Sequence, residues 1–248
     1  MSLQVPFRTD ESIEREANAL LQSYGLRVAP VDAPPVPVDE ILENHLHITF
    51  ELDDLCATLG KPDVLGALYI AEKKVVVDVQ LDPSTHPDVL GRYRFTVGHE
   101  IGHWQLHRDH FLDLAGAPNL FSQASTVPPI ICRESQRREP PEWQADRFSA
   151  ALLMPRALVS QAWGECYGSL APRVSADEYE MATGMRPSVL KPTGTPNVFE
   201  EFENNLFKRA ARALAQAFEV SVEAMKIRLI TLGFLVRNRA LQLPLTGA

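Results

Sequence analysis

An α+β fold, mainly helical with a small β-sheet and a C-terminal helical region, follows from three observations on the 248-residue sequence. Apolar residues recur at three- and four-residue steps over several stretches of helix length. Two β-rich runs, Leu68–Ile70 and Val75–Val79, flank a polar break at Glu72-Lys73-Lys74 of hairpin size. The C-terminal stretch shows two further helical patterns joined by a short turn.

In chain order, Thr9–Tyr24 opens with a capping candidate and acidic residues, then sets Ile13, Ala17, Leu20 and Leu21 at helical spacing. Four prolines in Ala29–Val38 fit an extended connection, and a second helix is expected over Val38–Asn44. The hairpin follows. From Ser84 to His107, Leu90, Tyr93, Val97, Ile101 and Trp104 form one apolar stripe behind a start signal of Ser84, Thr85 and Pro87. At about 100° per residue, His99 and His103 fall together on the face away from that stripe, with Glu100 at the border. Asp109–Glu139 is polar and weakly periodic, as functional loops often are. Pro140 and Pro141 then introduce a helix whose stripe is Ala145, Phe148, Ala151 and Leu152, with Glu142 and Asp146 one turn apart. A helical run follows Pro155 to about Trp163, and Tyr179–Phe199 reads as a linker or irregular excursion. Phe202–Phe218 and Val222–Leu232 are the last helices, the second with Ser221 as N-cap and Gly233 as its stop.

An apolar content of 45% suits a chain with a real core. No apolar run approaches the roughly 18 residues needed to span a bilayer. Met1–Asp10 lacks the pattern of a signal peptide, so a cytoplasmic protein with no membrane partner is expected. Cys56, Cys132 and Cys166 have no C-x-x-C spacing and read as reduced thiols. The net charge of -8 is uneven: from Leu206 onward, seven Lys and Arg residues face only Glu219 and Glu223. An acidic body with a basic tail is not a general nucleic-acid binder, though the tail alone could touch an acidic partner.

The chemistry lies in HEIGH, His99–His103. Two imidazoles one helical turn apart, about 6 Å in rise, can reach one tetrahedral zinc, and Glu100 between them can act as general base. With seven histidines in the chain, chance yields such a motif only on the order of 0.01 times, so the pattern points to one Zn²⁺ per chain. Catalytic zinc takes a third protein ligand. His107, His110, Cys132, Glu139 and Glu142 are the candidates. His107 lies too far along an unbroken helix to share an ion with His99 and reads as a structural or cleft residue. Glu142 starts a helix, and Asp146 one turn later could accept the free ring N–H of a histidine ligand.

RFTVGHEIGHWQLH (Arg94–His107), ICR (Ile131–Arg133) and EWQADRFSAALLMP (Glu142–Pro155) together resemble the ImmA/IrrE-type metallopeptidases. The hairpin and PVDEIL (Pro37–Leu42) also look like parts of that family. The resemblance implies a zincin-like catalytic domain over residues 1–165, an irregular linker over 166–202 and a C-terminal helical, helix-turn-helix-like region over 203–248. It further implies zinc on His99, His103 and Glu142, a catalytic Glu100, and cleavage of a helix-turn-helix repressor in phage, mobile-element or stress-response regulation. Asp146 stands where the family often has Asn, so its part beside the ligands is less defined. Tyr93, Arg94 and His107 are candidates for stabilising the oxyanion.

Two rival readings come from other classes. One is a DNA-binding regulator with a structural zinc, the basic C-terminal region touching duplex. The other is a toxin–antitoxin component or sensor with latent peptidase activity, in which Cys132 is a redox-sensitive or metal-blocking thiol. For substrate capture, the Leu68–Val79 hairpin is expected to offer an edge strand.

Overall fold

The computed structural model describes residues 5–116, 130–133, 139–170, 173–174, 180–181, 184 and 198–237. Met1–Pro155 with Phe218–Val220 form one compact unit, and Arg156–Ala217 with Ser221–Ala248 a second.

The first unit begins with helix α1 (Asp10–Arg27), whose N-cap Thr9 accepts a hydrogen bond from the Ser12 amide. It buries Ile13, Ala17, Leu20 and Tyr24 at helical spacing. The expected second helix divides into α2 (Val38–Glu40) and a π-helical turn over Ile41–His45. Strand β1 (Thr49–Asp53) follows, then α3 (Leu55–Leu59), β2 (Val64–Tyr69) and β3 (Lys74–Asp78). β2 and β3 form the antiparallel hairpin that the sequence predicts. Asp78 ties it to α3: its carboxylate accepts from the amides of Leu55 and Gln80.

β1 pairs parallel with β3, and β4 (Ile130–Arg133) pairs antiparallel with β2, giving the order β1-β3-β2-β4. This corrects the expectation of an edge at the hairpin, because both of its strands are interior. Neither flanking strand is read from the sequence, although Phe50 and Leu52 alternate with polar residues in β1. β2 and β3 are buried almost throughout, as strands covered on both faces are. Leu55, Val64, Ala67 and Val76 make one cluster on the α3 side, and helix α4 covers the other.

α4 (Leu90–Gly116) runs beyond the stretch expected to be helical. From Tyr93 to His107, every residue except Phe95 and Gln105 is buried. The face opposite the apolar stripe is therefore not open to solvent: α5 (Pro140–Leu153) lies on it. Small residues permit the approach. A Cβ added at Gly102 would sit 3.1 Å from Ala145 Cα, and one at Gly98 would sit 2.7 Å from Ser149 Oγ. α1 packs on α5 in turn.

The second unit contains α6 (Arg156–Tyr167), α7 (Val198–Phe218), α8 (Val222–Thr231) and a parallel pair, β5 (Arg173–Val174) and β6 (Leu235–Val236). Most of the Tyr179–Phe199 excursion lies outside the described residues. Ser221 caps α8 as its sequence predicts, accepting from the Ala224 amide, and Gly233 adopts φ 82° after its end. Leu214, Met225 and Leu229 are buried, as packing of a helical hairpin requires. Two of the tail's cations are buried as well. Lys226 donates to Asn204 at 2.8 Å and pairs with Glu223 at 2.5 Å, and Arg228 is 4% exposed. No helix among the described residues is long and apolar enough to cross a membrane.

Candidate metal centre

His99 and His103 project from α4 toward the first turn of α5. Pro140 at the first helical position presets the backbone there, which puts Glu142 in that turn. His99 Nε2 lies 3.2 Å from Glu142 Oε2, His103 Nε2 lies 3.3 Å from Glu142 Oε1, and the two Nε2 atoms are 3.0 Å apart. A tetrahedral ion with bonds of about 2.0–2.1 Å separates its ligand atoms by about 3.3 Å. The three donors thus sit close to the spacing one zinc ion requires, and all three residues are buried.

On its far side, His99 Nδ1 donates to Asp146 Oδ1 at 2.9 Å, which turns Nε2 toward Glu142 and His103. His103 Nδ1 meets His107 Nδ1 at 3.1 Å, and His107 Nε2 meets Gln144 Oε1 at 3.1 Å. His107 therefore stands behind a candidate ligand instead of joining the donors. Burial and the neighbouring His103 push its imidazole down to about 3.

Burial alone would lower His99, but Cys132, Asp146 and Glu142 carry it well above the ordinary histidine range. Burial would likewise raise Glu142, yet the imidazoles of His103 and His99 within hydrogen-bond reach hold it down at about 2. These opposite shifts share one cause: the cluster favours positive charge beside Glu142. A buried cluster that favours positive charge in this way is suited to a metal cation.

Glu100 is fully buried, and neither carboxylate oxygen has a hydrogen-bond partner among the described residues. Burial pushes its carboxyl up to about 8. Space for it comes from β2. A Cβ at Gly66 would fall 2.5 Å from Glu100 Oε1 and 2.9 Å from Thr96 Cγ2. A buried carboxylate in a glycine-made recess, beside three converging donors, is the arrangement a general base for an activated water needs.

Cys132 enters this site through the sheet. It pairs with Gly66 across the β2–β4 ladder, so its side chain shares the face that looks onto α4. Its Sγ, an imidazole nitrogen of His99 and a carboxylate oxygen of Glu100 all lie within 4.8 Å of one another. The thiol is buried, which pushes it up against the lowering influence of His99.

Other sequence candidates lie elsewhere. Tyr93 donates its hydroxyl to Asp39 at 2.8 Å, and Arg94 donates to the Val36 carbonyl at 2.6 Å while pairing with Glu219 at 3.4 Å. Both anchor the start of α4 to neighbouring segments. Glu139 is the N-cap of α5, and the His110 ring packs edge-on against Phe111. Neither joins the donor clusters found among the described residues. Gln144 and Gly66 went unread in the sequence, where nothing separates an amide or a glycine with a site role from any other.

No family pattern and no curated protein matches the sequence. Among solved structures, a Mycobacterium tuberculosis transcriptional regulator is similar at 13% identity with a TM-score of 0.43. The match covers 87% of this chain and 46% of that protein, so the chain spans about half its length. A likeness at that level carries neither fold nor function from one protein to the other.

Proposed function

We propose that this chain is a zinc-dependent endopeptidase with a zincin-like arrangement, of the ImmA/IrrE kind its motifs resemble, acting on a protein such as a helix-turn-helix repressor. One observation carries the reading. Three buried metal donors from two helices converge within 3.3 Å, beside a carboxylate whose oxygens have no hydrogen-bond partner among the described residues.

His99, His103 and Glu142 would hold the ion, and Asp146 would fix the His99 ring through Nδ1. A bound zinc ion supplies Lewis acidity, lowering the pKa of a water toward about 7 and polarising the substrate carbonyl. Glu100 takes the attacking water's proton at a carboxylate oxygen and passes it to the leaving amine nitrogen. Proton transfer of this kind contributes about 10²–10⁴-fold. Burial leaves Glu100 little solvent competition for that proton.

The test is zinc content and repressor cleavage side by side. Glu100→Gln is expected to keep zinc and lose at least about 10²-fold in cleavage, whereas His99→Ala loses both. Full cleavage by Glu100→Gln would end the reading.

Cys132 favours a second one, because its Sγ groups with a His99 nitrogen and a Glu100 oxygen, and a structural ion held there would take Glu100 as a ligand and leave no base for a water. Cobalt substitution separates the two. A thiolate-to-cobalt charge-transfer band that disappears in Cys132→Ser identifies the closed site, and its absence in the wild type supports the open, catalytic one.

A further inference from the structure

We infer that Gln144 and His107 are positioning residues that set the tautomer of His103, through a hydrogen-bond relay running from the Pro6 carbonyl to the metal-facing nitrogen. The inference rests on the metal-centre reading above, and each step of it forces the next. A proline carbonyl can only accept, so the amide end of Gln144 that lies 3.0 Å from Pro6 O must be its NH₂ group. The carbonyl end therefore faces His107 Nε2, 3.1 Å away, and that nitrogen must carry hydrogen. His107 is 1% exposed, and its Nε2 partner is an amide, not a carboxylate; both conditions favour a neutral ring. Its Nδ1 is then a lone pair. His103 Nδ1, 3.1 Å from it, must be the donor. The last consequence falls at the centre: on a neutral His103 ring, Nε2 keeps the lone pair and faces Glu142 and His99.

The two histidines are thus prepared by different means. His99 relies directly on the Asp146 carboxylate. His103 relies on two neutral groups in series, anchored by an N-terminal segment that Phe7 fastens to α5 by stacking on Trp143, ring centroids 6.4 Å apart. Without the acceptor on His107, nothing in this chain of contacts prevents His103 from placing its proton on Nε2, where it opposes a cation. Partners of this kind behind ligands typically contribute 10–100-fold in metal affinity.

Two measurements on the full chain decide the matter. Long-range proton–nitrogen NMR correlations on the metal-free protein are expected to show hydrogen on Nδ1 of His103 and on Nε2 of His107. Hydrogen on Nε2 of His103 in the wild type would overturn the relay. In chelator competition, Gln144→Leu is expected to bind zinc about 10–100-fold more weakly. Gln144→Glu keeps an oxygen facing His107 and should recover most of that loss. Equal weakening in both variants would mean that Gln144 serves packing alone, and wild-type affinity in Gln144→Leu would also refute the relay. A wild type that binds no zinc would sink the metal centre instead, while the NMR result still rules on the relay.

Discussion

Gly66 and Glu100 show how little space the reactive group has. Gly66→Ala places a methyl group 2.5 Å from Glu100 Oε1 and 2.9 Å from Thr96 Cγ2. The carboxylate must move, and a displacement of about 1 Å at a reacting group can cost on the order of 10²-fold. We expect Gly66→Ala to retain zinc, to lose about that much cleavage, and to lose about 1–3 kcal/mol of stability from overpacking. Metal analysis, turnover and a denaturation curve read all three. Glu100 also has a cost in the metal-free protein. Burial raises its carboxyl from 4.5 to about 8, so between these values the folded chain keeps a proton that the unfolded chain has lost. Its contribution is most favourable below pH 4.5 and declines as pH rises through 8. Glu100→Gln removes this dependence. In chelator, the variant should match wild type near pH 4.5 and exceed it above pH 8, by on the order of a few kcal/mol; parallel stability curves across that range would contradict the burial argument.

Among the elements, the α4–α5 contact decides whether there is a site at all. Glu142 reaches both imidazoles only because Gly98 and Gly102 let α5 come close. Ser149 then locks the pair by donating to the Phe95 carbonyl at 2.8 Å. A Cβ at Gly102 would meet the Ala145 backbone, at both Cα and the carbonyl oxygen, 3.1 Å away. Backbone cannot rotate aside as a long side chain can, so Gly102→Ala should push the helices apart. The expected result is a stability loss of about 1–3 kcal/mol and weaker zinc binding, read by thermal melting and chelator competition. Unchanged affinity would show that the distance between the helices does not govern the ligand set. The motif's inner glycine therefore acts through packing, a part that its neighbours in HEIGH do not reveal.

On the scale of the whole molecule, the first unit gathers its donors from segments far apart in sequence, α4, α5 and β4, and the recess for Glu100 from β2. An ion bound to His99, His103 and Glu142 stabilises only the folded arrangement, so melting should depend on metal. At zinc 100-fold above its dissociation constant the gain is about 2.7 kcal/mol, lost on chelation and restored by adding zinc back. A melting curve indifferent to zinc would mean that these residues hold no ion in the folded chain. The second unit turns Lys226 and Arg228 inward, so the basic character of the C-terminal sequence overstates the charge it offers to a phosphate backbone.

Several features follow from the sequence by itself: the helices with their caps at Thr9 and Ser221, the β2–β3 hairpin, and the pairing of His99 with His103. Each depends on residues within a turn or two of one another, where periodicity and capping chemistry act. The tertiary structure decided what depends on distant contacts. β1 and β4 exist as strands because β3 and β2 offer them ladder partners. α4 is buried on both faces because α5 covers the side that its polar residues seemed to leave open. Cys132 reaches the centre because it lies across the ladder from Gly66, and Gln144 because its amide bridges His107 and Pro6. A local pattern can arm a helix, but only close packing of separate segments supplies the carboxylate, the recess and the directional hydrogen bonds that make those arms a site.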